Sequence, residues 1–176
     1  MSAGTRFGAA SFVRRAMQFT QSMSYPGTVD EVVTMYLTPT YLERRFGQFV
    51  VEGSSTVSVE GQRVSFAGTV RPELIPAAAA RFVKSDLRIA FTEEWTTNEA
   101  GASSRTSVTV DGAPVSVEAT STLAGAEEGC VREVSGNVSV RVPLLGGRIE
   151  KEAVAHLGRV VEREQALAAD WLEEHR

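Results

Sequence analysis

The feature that most constrains this fold is the end of the chain, where a β-patterned segment is followed by one long amphipathic helix. The segment closes on residues 142–147, and the helical pattern covers about residues 148–174. At about 100° per residue, one stripe of this helix is apolar, and its members are Ile149, Ala153, Leu157, Val160, Leu167 and Trp171. A helix with one apolar face must bury it against another layer. We therefore expect the helix to cover a sheet.

Most of the remaining chain alternates apolar and polar residues, which is the pattern of a half-buried strand. The first strand begins at Met17 and ends at Pro26-Gly27, and a capping box at residues 28–31 begins the first of two short helices. Further strands are predicted at 51–59, 64–70, 87–95, 106–110, 115–123 and 134–142, and residues 72–85 form a short helix or a flap-like crossover. The pattern predicts an α+β fold: a curved antiparallel sheet of about seven strands wrapped around the C-terminal helix, with two short helices after strand 1.

Composition and charge argue against several function classes. A net charge of −4 and a pI near 5.3 disfavour nucleic-acid binding, because phosphates attract a basic surface. Cys130 is the only cysteine, and the two histidines are His156 and His175. We therefore expect no disulfide, no metal site and no cofactor. No apolar segment approaches the ~18 residues of a transmembrane helix, and no signal sequence is evident. We expect a cytoplasmic protein.

The sequence shows no internal repeat and no linker. We therefore predict one domain covering residues 15–176. Residues 1–14 are small and polar without a period. We interpret them as a loose leader.

Two carboxylates interrupt the predicted buried faces. Glu164 lies near the middle of the helical stripe, and Glu93 shares a strand face with Phe91 and Trp95. An unpaired buried carboxylate costs several kcal/mol, so each must be paired, protonated or hydrated. Glu164 then pairs with an inward arginine or lies at a solvent-reaching edge, and a strand bulge turning Glu93 outward is an equal alternative. If both point inward, they bind a polar group of a ligand or act as general acid and base.

The hollow between sheet and helix is a candidate ligand cavity. Its predicted lining residues are Phe66, Phe91, Glu93, Trp95, Val117, Ser121, Val138, Val140, Leu157, Val160 and Glu164. The aromatic members fit an ordinary core equally well, and Ser121 fits a core polar group whose hydrogen bonds are satisfied. The sequence contains no Gly-rich phosphate loop and no Ser/His/Asp or Cys/His set. We therefore assign no catalytic residue and no metal ligand.

The order strand, two helices, six strands and long helix resembles the START-like or helix-grip superfamily (SRPBCC, polyketide cyclase/dehydrase and lipid transport). Within it, the chain is similar to an actinobacterial family of unknown function. The resembling segments are Tyr25-Pro26, residues 29–32, Glu94-Trp95, residues 112–114, residues 142–150 and Trp171-Leu172. The resemblance implies the fold and a hydrophobic cavity, and it implies no activity.

Three functions fit these expectations. The first is binding, carrying or sensing of a hydrophobic small molecule, such as a lipid or a polyketide-like compound. The second is a cyclase or dehydratase that uses Glu93 or Glu164, and the third is a ligand-free interaction module with a filled core. The cavity volume separates the third function from the others. A deep carboxylate pair with a raised pKa favours the second.

Overall fold

The computed structural model describes residues 16–75, 77–81, 83 and 85–176, so the predicted leader at residues 1–14 lies outside the described part. The elements are β1 (Met17–Tyr25), α1 (Val29–Tyr36), α2 (Pro39–Phe46), a 3₁₀ turn (Gly47–Phe49), β2 (Thr56–Glu60), β3 (Arg63–Thr69), a second 3₁₀ turn (Pro72–Leu74), α3 (Ala77–Ala80), β4 (Arg88–Asn98), β5 (Gly101–Asp111), β6 (Val115–Gly125), β7 (Cys130–Val140) and α4 (Gly146–Glu174).

The seven strands form one antiparallel sheet with the order β1-β7-β6-β5-β4-β3-β2. The first and last strands are neighbours, with Met17 opposite Val138 and Tyr25 opposite Cys130. The α4 helix packs against these two strands. The predicted α+β helix-grip architecture, with two short helices after the first strand, is confirmed.

Local sequence signals explain how the short helices begin. The predicted capping box is present, because Thr28 Oγ1 accepts a hydrogen bond from the Glu31 amide and Glu31 Oε2 accepts one from the Thr28 amide. The second helix begins at Pro39, whose fixed φ suits the first turn of a helix. Its N-terminus has no side-chain cap, since the Thr38 hydroxyl donates to the Thr34 carbonyl instead.

The predicted strand at residues 51–59 begins later than expected. Residues 51–55 form a turn, in which the Ser54 amide donates to the Val51 carbonyl at 3.1 Å. Gly53 adopts a φ of +76°, which a glycine accepts without steric cost. The alternating residues Val51, Gly53 and Ser55 therefore belong to a turn, and the strand begins at Thr56.

The buried face of α4 includes most of the predicted stripe but is shifted at its edge. Ile149, Leu157, Leu167 and Trp171 are buried or half-buried as predicted, whereas Ala153 is exposed. Positions 150, 154, 161, 164, 168 and 172 are also buried or half-buried. The prediction that Val160 points inward is wrong, because its side chain is 48% exposed. The stripe passes through Val161 instead, which leaves Val160 at its edge. Within the described residues, no helix is long and apolar enough to cross a membrane.

Candidate functional site

An apolar cavity of about 390 Å³ lies at the end of the sheet where α4 begins. Its walls come from the crossover before β4, the β5–β6 turn and the start of α4. The lining residues are Phe49, Val70, Leu74, Ile75, Ala79, Val83, Leu87, Ile89, Val110, Gly112, Ala113, Pro114, Val115, Val140, Val142 and Ile149. No charged or hydroxyl-bearing side chain is among these described lining residues. This site can therefore hold an apolar molecule and offers it no side-chain hydrogen bond.

A glycine lets the β5–β6 turn close against the crossover. Gly112 has a φ of +89°, and a Cβ atom there would lie 3.2 Å from Leu87 Cδ2. A larger residue would strain the turn and press on Leu87. The Asp111-Gly112 hairpin signal in the sequence is thus also a structural feature of the cavity wall.

Of the predicted lining residues, Val140 lines this cavity and the others do not. The rings of Phe66 and Phe91 pack on Phe46 of α2. Their centroids lie 4.8 Å and 4.7 Å, respectively, from the centroid of the Phe46 ring. These rings fill the space between α2 and the strands β3 and β4. The remaining apolar candidates are buried Val138, half-buried Val117 and Leu157, and exposed Val160.

The polar candidates lie in a separate buried network. Glu93 points inward, with 1% of its surface exposed, and forms an ion pair with Arg132, which is 3% exposed. Glu93 Oε1 also accepts hydrogen bonds from the hydroxyls of Ser104, at 3.0 Å, and Thr106, at 2.9 Å. The alternative in which a bulge turns Glu93 outward is therefore wrong. The carboxylate is held by cross-strand neighbours.

Small residues allow Arg132 of β7 to reach Glu93 of β4 across the two strands that separate them, β6 and β5. The guanidinium crosses over Ser121 and Ser104, donating from Nε to Ser121 Oγ and from Nη2 to Ser104 Oγ, both at 2.9 Å. Its Cζ also lies 4.7 Å from the ring centroid of Trp95. Ser121 is thus a core polar group whose hydrogen bonds are satisfied, and Trp95 packs on a cation.

Glu164 of α4 is paired with an arginine from α2. Arg45 Nε donates to Glu164 Oε2 at 2.9 Å, and Tyr36 donates to Glu164 Oε1 at 2.8 Å. The Tyr41 hydroxyl donates to the same oxygen at 3.3 Å. Since the Tyr36 proton is used in this way, the 2.7 Å contact between the Tyr25 and Tyr36 hydroxyls has Tyr25 as donor. The predicted pairing with an inward arginine is confirmed.

Arg45 brings the two predicted carboxylates close together. Its Nη1 lies 3.9 Å from Glu93 Oε2 while its Nε binds Glu164. Neither Arg45 Nη1 nor Glu93 Oε2 has a hydrogen-bond partner among the described residues. The network thus ties α2 and α4 to the sheet.

The electrostatics of the network favour a charged Glu93 carboxylate and a neutral Tyr36 phenol. Burial alone would raise the pKa of Glu93, but the charges of Arg132 and Arg45 outweigh it and hold this pKa below its usual value. Burial, reinforced by the negative charge of Glu164, raises the pKa of Tyr36 well above its usual value. Glu93 is therefore ionised at neutral pH and is a poor general acid.

Arg45 and Arg132 were not identified from the sequence, although both left a signal. Arg132 has the same strand parity as the inward residues Val134 and Val138. Arg45 follows Tyr41 by four residues and so lies on the same face of α2.

His156 is exposed on α4, and its Nδ1 lies 2.7 Å from the Glu152 carbonyl oxygen.

Comparison with known proteins places the chain in a family. The model of a family described as "Protein of unknown function (DUF2505)" matches residues 20–172, so the chain belongs to that family. Two similar relatives are the uncharacterized proteins Mb0491c of Mycobacterium bovis and Rv0481c of Mycobacterium tuberculosis. Each is 25% identical over 166 residues, covering 88% of this chain and 95% of the relative.

Solved structures share the fold at low sequence identity. Norcoclaurine synthase from Thalictrum flavum aligns over 99% of both chains with a TM-score of 0.59 and 12% identity. The di-domain ARO/CYC StfQ from the steffimycin biosynthetic pathway aligns over 90% of this chain and 51% of its own, with a TM-score of 0.58 and 12% identity. The helix-grip fold that the resemblance implied is confirmed. At this identity the likeness shows the fold alone.

Proposed function

We propose that this protein binds a small hydrophobic molecule in the apolar cavity at the α4 end of the sheet, in order to carry, sequester or sense it. The observation that supports the proposal most directly is the cavity lining, which is apolar throughout its described residues. Pockets that bind small molecules are concave and are lined mainly by apolar side chains. A cavity of this size with an apolar wall therefore favours an apolar occupant.

The cavity volume limits the size of that occupant. At about 390 Å³ it lies near the lower end of the ~300–1,000 Å³ range of ligand pockets. A single acyl chain of medium length or a compound of one or two rings suits this space better than a two-chain lipid. Norcoclaurine synthase, which shares the fold, has been solved in complex with dopamine and hydroxybenzaldehyde, which are small aromatic molecules.

A cyclase or dehydratase using the buried carboxylates receives less support. Glu93 and Glu164 are paired with Arg132 and Arg45, and neither carboxylate lines the apolar cavity. A ligand in the cavity would meet no acid or base among the described lining residues. A ligand-free interaction module receives less support as well, because an apolar cavity of about 390 Å³ lies at one end of the sheet.

A fluorescent probe tests the proposal. N-phenyl-1-naphthylamine, which is apolar and emits strongly away from water, should bind the folded protein and be displaced by medium-chain fatty acids or by naphthalene. Val115→Phe places a larger side chain in the cavity wall, so it should weaken probe binding at least tenfold, or ~1.4 kcal/mol.

Val117→Phe is the matched control. Val117 is half-buried on the same face of β6 as Val115, but it does not line the cavity. The control variant should retain probe binding. Absence of probe binding in the parent protein, or equal loss in both variants, would contradict the proposal.

A further inference from the structure

We propose that the loop between β7 and α4, residues 141–145, inserts into the surface of a membrane that contains anionic lipids. The tip of this β7–α4 loop is Leu144, whose side chain is fully exposed at 103%. Leu144 also has a φ of +65°, a left-handed conformation that is unfavourable for a residue with a Cβ atom. The free protein thus holds a leucine in strained backbone and gains no burial from it. A partner that buries Leu144 supplies the missing stabilisation.

Further exposed or half-buried apolar residues lie in the loop itself and at the rim of the cavity. Pro143 is exposed, and Leu145 is half-buried. Leu74 on the crossover is 48% exposed and lines the apolar cavity together with Val142 of the loop. The exposed apolar surface is therefore continuous with the cavity wall.

Basic side chains flank the loop. Arg141, Arg148 and Lys151 are exposed, and none of them forms an ion pair with a described residue. The first turn of α4 has no acidic residue, and the helix dipole adds positive potential at the same end. Glu73 and Glu152 line a neighbouring depression on the crossover side. An apolar tip between basic residues matches a bilayer surface with anionic headgroups.

A second copy of the chain fits this surface less well. A symmetric contact through the loop would place the same patch of both copies together. The basic residues Arg141, Arg148 and Lys151 of the two copies would then repel one another. Charge complementarity thus favours the membrane.

This inference goes beyond the proposed ligand binding and does not depend on it, because it needs only the loop and its flanking charges. If both proposals hold, docking would bring the cavity wall at Leu74 and Val142 close to the bilayer. An apolar ligand could then pass between lipid and cavity with little exposure to water.

Vesicle sedimentation tests the inference with the protein alone. The parent protein should bind vesicles of phosphatidylcholine with phosphatidylglycerol and bind much less to phosphatidylcholine alone. Leu144→Asp should lower the partition coefficient about 10- to 100-fold. Arg148→Glu should lower it at least about fivefold, an effect that added salt also produces.

Two control variants change similar surface residues away from the loop. Val160→Asp replaces a 48% exposed apolar residue of α4, and Arg159→Glu reverses an exposed charge on the same helix. Both should retain vesicle binding, and thermal melts should confirm that all variants fold. Absence of binding to anionic vesicles would overturn the inference, as would unchanged binding by Leu144→Asp. Leu144-dependent dimers without vesicle binding would assign the loop to a second copy instead.

Discussion

Replacing Glu93 by glutamine removes one charge from the buried network and should strongly destabilise the protein. Arg132, which is 3% exposed, would keep its positive charge without its carboxylate partner. Arg45 would lose the second negative charge, which lies 3.9 Å from its Nη1. The neutral amide still accepts hydrogen bonds, so the main loss is electrostatic.

The expected loss of unfolding free energy is about 3–5 kcal/mol, the usual cost of breaking a buried ion pair by removing one partner. The total stability of an ordinary domain is about 5–15 kcal/mol. The Glu93→Gln variant should therefore fold but show a much lower urea midpoint. Combining it with Arg132→Met should recover a large part of the loss, because no unpaired guanidinium then remains at that position.

Urea unfolding followed by tryptophan fluorescence and by circular dichroism provides the measurement. Trp95 is a local reporter, since it stacks on Tyr36 at a centroid distance of 5.3 Å and lies under the Arg132 guanidinium. Glu94→Gln is the matched control, because this neighbouring glutamate is exposed on the other face of β4. A loss below about 1 kcal/mol, or equal losses in the two variants, would refute the argument.

Three other changes test the fold and the network. Folding lowers the pKa of Glu93, so the stability that its charge contributes is fully present above the usual glutamate pKa of about 4.3 and should be lost as pH falls through the lower folded value. The urea midpoint of Glu93→Gln should therefore fall less steeply with decreasing pH than that of the parent protein. Glu164→Gln should cost a few kcal/mol in urea unfolding, because Arg45 loses its 2.9 Å partner; a neutral or stabilising effect would contradict the pairing. Gly129→Ala should cost about 1–3 kcal/mol, since φ is +79° and a Cβ would lie 2.0 Å from a carbonyl oxygen, whereas Gly125→Ala has no atom within 4 Å and should be nearly neutral by thermal melting.

The sequence predicts the elements of this fold well because local patterns determine them. Alternation located β1 and the strands from β4 to β7, and the capping box located α1. The pattern was misleading where a glycine at position 53 permitted a turn. The sequence pattern also misplaced the edge of the apolar stripe of α4. A helical projection at about 100° per residue does not show which side of the helix the neighbouring strands cover.

The candidate site was harder to predict because it depends on contacts between distant elements. The sequence predicts an inward Glu93 as one alternative, but its partner Arg132 comes from a strand three positions away in the sheet. The pairing depends on strand order and register. The alternation of residues along a strand shows which face a side chain lies on, but it does not show which strands are neighbours or how they are aligned. The apolar cavity forms where the crossover, a turn and a helix end meet, so no single periodic pattern contains it.

A crystal structure of the protein grown with decanoic acid or naphthalene shows directly whether the apolar cavity binds a ligand. We expect ligand density within the cavity, in contact with Leu87, Val110 and Ile149. The buried network around Glu93 should remain unchanged in that structure. A cavity that stays empty at saturating ligand, or density against Arg45 and Glu93 instead, would contradict the proposed ligand binding.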